Sequence, residues 1–160
     1  MVPKCSSSTA ADMEGLRVAI FGGAGGIGRA VAERFIASGA HVALADIQAS
    51  AEDLASEIGA TSFHIGDLGS LEDPARMVTE AASALSGLDC LINAAGVQIV
   101  GMVADFDPGE WDRLMSVNLR GAFLTCRAAL PFLEDSSRGS IVNTASIAAQ
   151  RGGQGGAAYA

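Results

Sequence analysis

The sequence predicts an α/β protein with a doubly wound parallel sheet and helices on both faces. Short β-rich apolar runs alternate with helix-like segments, and a series of this kind folds as parallel strands joined by right-handed crossovers. A glycine-rich stretch, GGAGGIG, joins the first strand to the first helix. The fourth strand is apolar enough to be buried on both sides. We expect one domain over residues 14–160, preceded by a flexible tail over residues 1–13.

The composition supports a packed chain and narrows the classes of function. Hydrophobic residues make up 49% of the chain and charged residues 18%, which argues against general disorder. The formal net charge of −8 repels phosphate backbones, so we expect no nucleic-acid partner. No apolar run reaches the roughly eighteen residues that span a bilayer. Three widely spaced cysteines form neither a disulfide framework nor a zinc pattern, so we expect a cytoplasmic protein without a metal.

The first half of the chain contains three predicted strands. RVAIF is the first strand, and in the helix after it Ile27, Val31 and Phe35 recur every four residues and so share one face. Gly39 is the predicted stop of this helix. HVALAD is the second strand, and a short helix then runs to Gly59. TSFHI is the third strand.

The second half continues the alternation. Asp73 and Pro74 are predicted to begin a helix as its N-cap and first residue. LDCLINAAG is the fourth strand. Asp107 and Pro108 begin a long helix that is predicted to continue through Leu130. GSIVNTAS is the fifth strand, and a serine-rich turn precedes it.

The glycine-rich loop predicts a phosphate-binding site. Gly22, Gly26 and Gly28 have the spacing G-x-x-x-G-x-G between a strand and a helix. Backbone without side chains can turn sharply, approach a pyrophosphate closely and let the helix pack on the strand. The helix N-terminus then offers unpaired N–H groups to the phosphates. The alternative is a tight turn without a ligand, but such a turn does not require five glycines in seven positions.

Asp46 predicts the kind of dinucleotide. It lies at the carboxyl end of the second strand, where a carboxylate can accept hydrogen bonds from both ribose hydroxyls and would repel a 2′-phosphate. No Arg or Lys follows in DIQAS, and Gly25 occupies a loop position where a base could meet that phosphate. Arg29 is expected on the helix surface. We therefore predict NAD rather than NADP; the alternative is a solvated carboxylate at a strand end.

Further motifs follow the glycine loop in a set order. DL stands at residues 67–68, NAAG at residues 93–96, and SVNLRGAF surrounds Asn118. IVNTAS ends in Ser146, and Tyr159 lies thirteen positions later. With the glycine loop, this combination resembles the short-chain dehydrogenase/reductase family in its compact form, from about residue 14 to the last residue. The resemblance implies a Rossmann-type fold. Two departures are Phe21, where the family usually has threonine, and Ala94, where it has a second asparagine.

The resemblance implies hydride transfer between NAD and a secondary alcohol or ketone. In that reaction Tyr159 is the acid/base, Ser146 polarises the substrate oxygen, and Asn118 positions a water. The DL pair contacts the adenine, and the NAAG stretch stabilises the sheet and runs beside the cofactor. A homo-tetramer or homo-dimer is implied for the full-length form. The predicted cofactor-binding residues are Gly22, Gly26, Ile27, Gly28, Asp46, Ile47, Asp67, Leu68, Asn93, Ala94, Ala95 and Gly96.

The family's motif continues past the last residue. Its tyrosine begins Y-x-x-x-K, which would place the lysine at position 163. We therefore expect an N-terminal fragment with little activity of its own, from an active dehydrogenase. The alternative is a non-catalytic nucleotide-binding or interaction module. In the family's strand order, 3-2-1-4-5-6-7, the fifth strand is interior, so here we expect it to be an exposed edge. The final GGQGGAAYA is expected to be mobile, with nothing to dock against.

Overall fold

A computed structural model describes residues 13–160 and contains the predicted parallel sheet. The strands are adjacent in the order β3-β2-β1-β4-β5, and every neighbouring pair is parallel. The predicted doubly wound α/β fold is therefore confirmed. The fourth and fifth strands are shorter than predicted, because the chain leaves the sheet after Asn93 and Asn143, which are register partners. The strands are β1 (Arg17–Phe21), β2 (His41–Asp46), β3 (Ser62–Ile65), β4 (Cys90–Asn93) and β5 (Ser140–Asn143).

Helices connect the strands and cover both faces of the sheet. The sequence did not predict α6 or a short 3₁₀ turn at Val103–Asp105, since segments of three or four residues carry no readable periodicity. The helices are α1 (Gly26–Ala37), α2 (Ala51–Ile58), α3 (Asp73–Ala84), α4 (Pro108–Met115), α5 (Ala122–Glu134) and α6 (Ala148–Arg151).

The sheet separates two apolar cores. Successive strand residues point to opposite faces, so Phe21 and Leu91 pack with α3 and α5 while Ile20 and Leu44 pack with α1 and α2. All four side chains are fully buried, and burying a side chain of this size stabilises the fold by about 1.5–3 kcal/mol. Packing on both faces therefore fixes the position of the central strands, and the loops at their carboxyl ends begin from fixed points.

The face of α1 on which Ile27, Val31 and Phe35 were predicted to lie is buried only in part. Val31 and Phe35 pack against the core, whereas the side chain of Ile27 is 59% exposed. The buried residues of this helix are Gly28 and Ala32, and their small size lets the helix lie close to the strands. The first turn is therefore held by glycine contact rather than by an apolar side chain.

The start of α3 differs from the prediction by one residue. Glu72 occupies the N-cap position and Asp73 is the first helical residue. The Asp73 carboxylate does not cap its own helix. It accepts the N–H of Asp67 at 2.9 Å and pairs with Arg76 at 2.8 Å. These contacts, the hydrogen bond from Asp67 foremost, hold the pKa of Asp73 below its ordinary value.

The long helix predicted from Asp107 onward is interrupted. Its start is as predicted, because the Asp107 carboxylate accepts the N–H of Glu110 at 3.0 Å. Residues Ser116–Gly121 then form a π-helical segment between α4 and α5. Apolar spacing is similar on both sides of this segment, so a 3.6-residue period could not reveal it. Segments of this kind occur often at functional sites.

An ionic cluster lies at the amino edge of the sheet. Asp89, just before β4, is almost fully buried and accepts hydrogen bonds from the backbone and side chain of Arg17 and from Ser136. The shortest Arg17 contact is 2.7 Å, and Arg138 lies 3.6 Å away. The Arg17 hydrogen bond, more than any other cause, holds the pKa of Asp89 well below its ordinary value. The cluster ties β1 and β4 to the turn before β5.

The C-terminal segment is docked, which corrects the prediction that it has nothing to dock against. The N–H of Gly101 donates to the carbonyl of Gly155 at 2.8 Å, and Ala158 is buried. The loop after β4 thus supplies the docking surface, which no local pattern in the sequence indicated. The predicted tail over residues 1–13 lies outside the described residues except for Met13, whose carbonyl accepts the N–H of Leu16.

The expectation that β5 forms an edge is confirmed. It pairs with β4 on one side, and all four of its residues are exposed, Ile141 and Val142 among them. Within residues 13–160, none of the helices combines the length and apolarity that crossing a membrane requires. The same residues contain no group of three or more His, Cys, Asp or Glu side chains arranged to hold a metal ion.

Candidate functional site

A cavity of about 560 Å³ opens at the carboxyl edge of the sheet. It lies beside β1 and β4, where the strand order reverses, which is the position where open α/β sheets bind ligands. Its walls come from the loops after the first four strands and from α4 and the π segment. The predicted residues in its lining are Gly22, Asp46, Ile47, Asp67, Leu68, Ala94, Ala95 and Gly96.

The glycine loop lies at the carboxyl edge of the sheet, and the space around its glycines differs from one position to the next. Gly22 has a φ of +81°, and an added Cβ would stand 2.5 Å from the backbone nitrogen of Ala95. A Cβ on Gly28 would overlap the carbonyl of Gly22. A Cβ on Gly26 would meet nothing within 4 Å. Packing within the protein therefore requires glycine at positions 22 and 28. At position 26 it does not, and the absence of a side chain there leaves space that a ligand can occupy.

The N-terminus of α1 is left without a partner of its own chain. No side-chain hydrogen bond caps it, and its first turn contains no acidic residue, as far as the described part of the chain shows. The first N–H groups of an α-helix have no partner within the helix, and they carry the positive end of its dipole. An anion at Gly26 would accept hydrogen bonds from these N–H groups and would be attracted by the positive end of the dipole. Ile27, also predicted to bind the cofactor, projects into solvent beside this point.

Asp46 braces the glycine loop as well as lining the cavity. Its Oδ2 accepts the N–H of Ala24 at 2.9 Å, and its Oδ1 accepts the N–H of Gln48 at 3.1 Å. A carboxylate has about four lone-pair sites, so capacity remains for ligand hydroxyls. The neighbouring Ile47 is largely exposed at the rim. The carboxylate is therefore held in a fixed position at the mouth of the cavity.

The loop after β3 forms the opposite wall. Asp67 Oδ1 accepts the N–H of Gly69 at 2.7 Å, and the Asp73 carboxylate accepts the N–H of Asp67 at 2.9 Å. Leu68 is buried, and the π segment packs against it so closely that a Cβ on Gly121 would stand 2.7 Å from the Leu68 carbonyl oxygen. Met77 and Val117 complete an apolar surface there.

Asn93 does not line the cavity, although it was predicted to bind the cofactor. Its amide is buried, donates to Asn143 at 2.8 Å and accepts from Thr125 at 3.0 Å. The side chain thereby joins β4, β5 and α5. Only the following residues, 94–96, reach the cavity. The prediction that this stretch stabilises the sheet agrees with the contacts of Asn93.

Asn118 lies in the π segment and is paired with the loop after β4. Its Nδ2 donates to the carbonyl of Val97 and its Oδ1 accepts the N–H of Val97, both at 2.8 Å. One amide hydrogen and one oxygen lone pair remain free for a water. The pair fixes the backbone just beyond Gly96, so the cavity wall and the predicted catalytic asparagine are held together.

Ser146 and Tyr159 are not among the residues that line this cavity. Ser146 lies three residues after the end of β5, and its Oγ accepts the N–H of Ala148 at 3.2 Å. Tyr159 is half-buried, and its N–H donates to the carbonyl of Gly156 at 3.0 Å. Among the described residues, no hydrogen bond joins the two hydroxyl groups. The structure thus places most of the predicted cofactor-binding residues around one cavity, whereas it places neither Ser146 nor Tyr159 in the lining of that cavity.

Sequence reasoning missed several residues of the cavity. Val117 and Ser116 immediately precede Asn118, so the motif around that asparagine could have indicated them. Met77 and Arg113 lie on helices whose pattern predicts only core or surface positions.

A dinucleotide fits the residues present. The uncapped α1 N-terminus and the open space at Gly26 would hold its phosphates. Asp46 stands at the rim beside them, and the surface around Leu68 and Val117 is apolar, as a base requires.

Comparisons with known proteins agree with this arrangement. A family model described as short chain dehydrogenase matches residues 17–160. A 2-(S)-hydroxypropyl-CoM dehydrogenase from Xanthobacter autotrophicus is 39% identical over 82% of the chain and 53% of its own length. A 2,5-dichloro-2,5-cyclohexadiene-1,4-diol dehydrogenase from Sphingobium indicum is 36% identical over 86% of the chain and 56% of its own length. The chain thus spans about half the length of these relatives.

Solved structures match the fold. A short-chain dehydrogenase/reductase from Brucella melitensis, described as a glucose/ribitol dehydrogenase, superposes with a TM-score of 0.84 at 37% identity. The match covers 91% of this chain and 62% of that one. An NADH-dependent reductase complexed with NAD superposes with the same TM-score at 29% identity, covering 94% of this chain and 67% of the other.

Proposed function

The chain belongs to the short-chain dehydrogenase family, and we propose that it carries the NAD-binding and catalytic residues of an oxidoreductase acting on a secondary alcohol or ketone. The observation that carries the proposal is the open α1 N-terminus next to the Asp46 carboxylate at the cavity rim. A phosphate group and a ribose fit those two features in that order. Because the relatives are about twice as long, the activity of the whole protein is part of the proposal.

NAD is proposed over NADP because of the charge at the rim. Asp46 is fixed by the glycine loop and cannot turn away from a 2′-phosphate without losing its bonds to Ala24 and Gln48. The negative charges of Asp46 and a 2′-phosphate would repel each other strongly in a partly enclosed site. The NAD complex of a similar NADH-dependent reductase supports the same cofactor.

The proposed chemistry divides between cofactor and protein. When bound, NAD supplies the ring that accepts or gives the hydride. Tyr159 Oη takes the proton of the alcohol, or returns it to the ketone. Ser146 Oγ donates a hydrogen bond to the substrate oxygen and stabilises the charge that develops there. Asn118 uses its free amide hydrogen to hold a water, since Val97 occupies the other half of its amide.

The protonation state of Tyr159 sets a requirement. A phenol titrates near 10 and is therefore a weak base at neutral pH unless a nearby cation favours the phenolate. The family motif provides a lysine four positions after the tyrosine. Without such a cation, the general acid–base contribution of roughly 10²–10⁴-fold is expected to be largely lost.

We propose small-molecule substrates, assembly into a homo-dimer or homo-tetramer, and a cytoplasmic location. The loops at the cavity are uncharged around residues 94–97, which suits an alcohol or ketone more than an ion. The apolar side chains of Trp111, Leu119 and Phe123 are exposed, and exposed apolar side chains of this size support assembly.

A second candidate is a nucleotide-binding module without turnover. It is favoured by one observation: the cavity contains the nucleotide-binding candidates, whereas Ser146 and Tyr159 are not among its lining residues. The two candidates differ in turnover, because both bind NAD and only the enzyme oxidises an alcohol.

The first test measures binding of NADH and NADPH by fluorescence titration. NADH is expected to bind more tightly, and Asp46→Asn, which keeps an acceptor for Ala24, is expected to reduce the preference. Asp53→Asn, at an exposed position of α2, is the matched control and is expected to keep it. Tighter binding of NADPH by the unmodified protein would contradict the assignment of Asp46.

The second test concerns the protein with its full coding sequence. Tyr159→Phe is expected to remove nearly all turnover on an alcohol substrate while NADH binding stays within about twofold. An active Phe variant would exclude Tyr159 as the acid/base. Bound NADH without turnover in the unmodified protein would favour the module.

A further inference from the structure

One basic side chain in the cavity lining has no part in the proposed function. Arg113 lies in the last turn of α4, one turn before Val117. It lines the cavity and also the outer groove formed with Leu119 and Phe123. Arg113 therefore lies between the cavity and the outer groove.

Arg113 is available for a ligand. Its nearest carboxylate is that of Glu110, with 3.8 Å between Nη1 and Oε2, which is too far for a hydrogen bond. Its side chain is 63% exposed. The other arginine at this wall, Arg120, is already engaged, because its Nη2 donates to the carbonyl of Gly69 at 2.7 Å. Arg76, in α3, is also engaged, because its Nη2 donates to a backbone carbonyl at 2.8 Å. Among the described residues, Arg113 is therefore the arginine at this wall whose side chain makes no hydrogen bond.

The surroundings of Arg113 indicate which part of a ligand it meets. Leu68, Met77 and Val117 form an apolar surface in the cavity, and Ile47 also lines it. Asp46 lies next to Ile47, where the proposed function places the ribose. A flat aromatic base attached to that ribose would lie on the apolar surface and leave its outer face toward the rim. A guanidinium is planar and stacks favourably on such faces.

We propose that Arg113 covers the open face of the adenine site, stacking its guanidinium on the base of the bound dinucleotide. This inference rests on the proposed function, since it requires that the cavity bind the adenosine half of NAD. It assigns to α4 a binding residue that the glycine loop, the Asp46 rim and the DL pair do not include.

The test compares two variants with the same change in charge. Arg113→Met removes the stacking group and keeps a helix-favouring side chain. Arg127→Met removes an arginine from an exposed position of α5 that does not line the cavity. Both make the net charge more negative by one, so a general repulsion of phosphates affects them equally. Dissociation constants are measured for NADH and for ADP-ribose, which has the adenine half and no nicotinamide.

The expected result is specific to one variant and to the adenine half. Arg113→Met should weaken NADH and ADP-ribose by the same factor, about two- to fivefold, as expected for a cation–π contact at an exposed site. Arg127→Met should leave both constants unchanged, and both variants should melt as the parent does. Unchanged ADP-ribose binding in Arg113→Met, or equal weakening in both variants, would overturn the proposal. Failure of the unmodified protein to bind either ligand would instead refute the proposed function beneath it.

Discussion

The two ends of the parallel strands are built from opposite kinds of residue. At the amino ends, Asp89 is buried and surrounded by donors from Arg17 and Ser136, so its charge is fully compensated. At the carboxyl ends, the loop after β1 consists largely of glycine, and no side chain caps α1 there. One edge is closed by contacts within the chain, and the other leaves polar groups without such contacts.

The groups that remain able to bind a ligand lie at the carboxyl ends of the strands. A group that the chain itself satisfies contributes to stability and has nothing left for a ligand. The α1 N–H groups and the spare lone pairs of Asp46 remain available because the chain supplies no competing side chain. Variants at the two ends should therefore separate stability from binding.

The largest effect is expected where the carboxyl edge is constrained by packing. Gly22→Val should lower the free energy of unfolding by about 4 kcal/mol or more, because it combines left-handed strain with overlap at Ala95. It should also abolish NADH binding. Urea unfolding measures the first effect and titration the second. A stable Val variant would show that the loop can relax around a larger side chain. It would contradict the claim that packing against Ala95 constrains the carboxyl edge.

At the amino edge, Asp89→Ala should lower the free energy of unfolding by about 3 kcal/mol, because Arg17 and Ser136 lose a buried partner. NADH affinity, measured below the melting range, should not change. Glu110→Ala is the control, since its ion pair is exposed and long, and it should cost less than about 0.5 kcal/mol. A loss of NADH affinity in the folded Asp89 variant would mean that the two edges are coupled.

Gly26→Ala should separate binding from stability at the carboxyl edge itself. Its Cβ meets no protein atom, so the melting temperature should stay the same or rise, as for glycine to alanine in a helix. The same methyl group would occupy the approach to the phosphates, and the dissociation constant of NADH should increase about tenfold, roughly 1.4 kcal/mol. Unimpaired binding would show that the phosphates do not approach this glycine.

The smallest effect concerns acid. The pKa of Asp89 is depressed in the folded protein, so its contribution is present above the unfolded value of about 4 and is lost as the pH falls below it. The parent should lose stability progressively below about pH 4. The Asp89→Asn variant should be less stable than the parent at neutral pH, and its stability should fall less steeply as the pH is lowered. Parallel pH profiles of parent and variant, from melts between pH 3 and 7, would contradict this role of Asp89.

The parts predicted correctly from the sequence rest on local patterns and on the family resemblance. The parallel sheet follows from the alternating elements, and the strand order follows from the resemblance. The positions of the glycine loop and Asp46 follow from the rule that parallel strands end at one edge. The Asp89 cluster joins β1 to residues near β4 and β5, so no window of sequence contains it. Asn93 was predicted to bind the cofactor as part of the NAAG stretch that the family resemblance singles out, but successive strand residues alternate in direction, and only residues 94–96 of that stretch line the cavity.

Other differences arise from tertiary contacts that local propensity does not encode. Arg113 has the pattern of a surface residue, and only the packing of α4 beside the loop after β3 makes it part of the cavity. The docking of Gly155 on Gly101 likewise depends on two loops that are distant in sequence.

The number of residues between α4 and α5 decides whether this part of the chain can form a π segment. A π turn closes over five residues rather than four, so the segment accommodates more chain than an α-helix of the same rise. A chain shorter by one residue here could run as an unbroken α-helix, with Leu114 and Thr125 still buried on either side. We expect such a deletion variant to keep its helix but to have a lower melting temperature than the parent, because its asparagine no longer reaches Val97. In evolutionary terms, the insertion of a single residue would add this polar contact to a continuous helix.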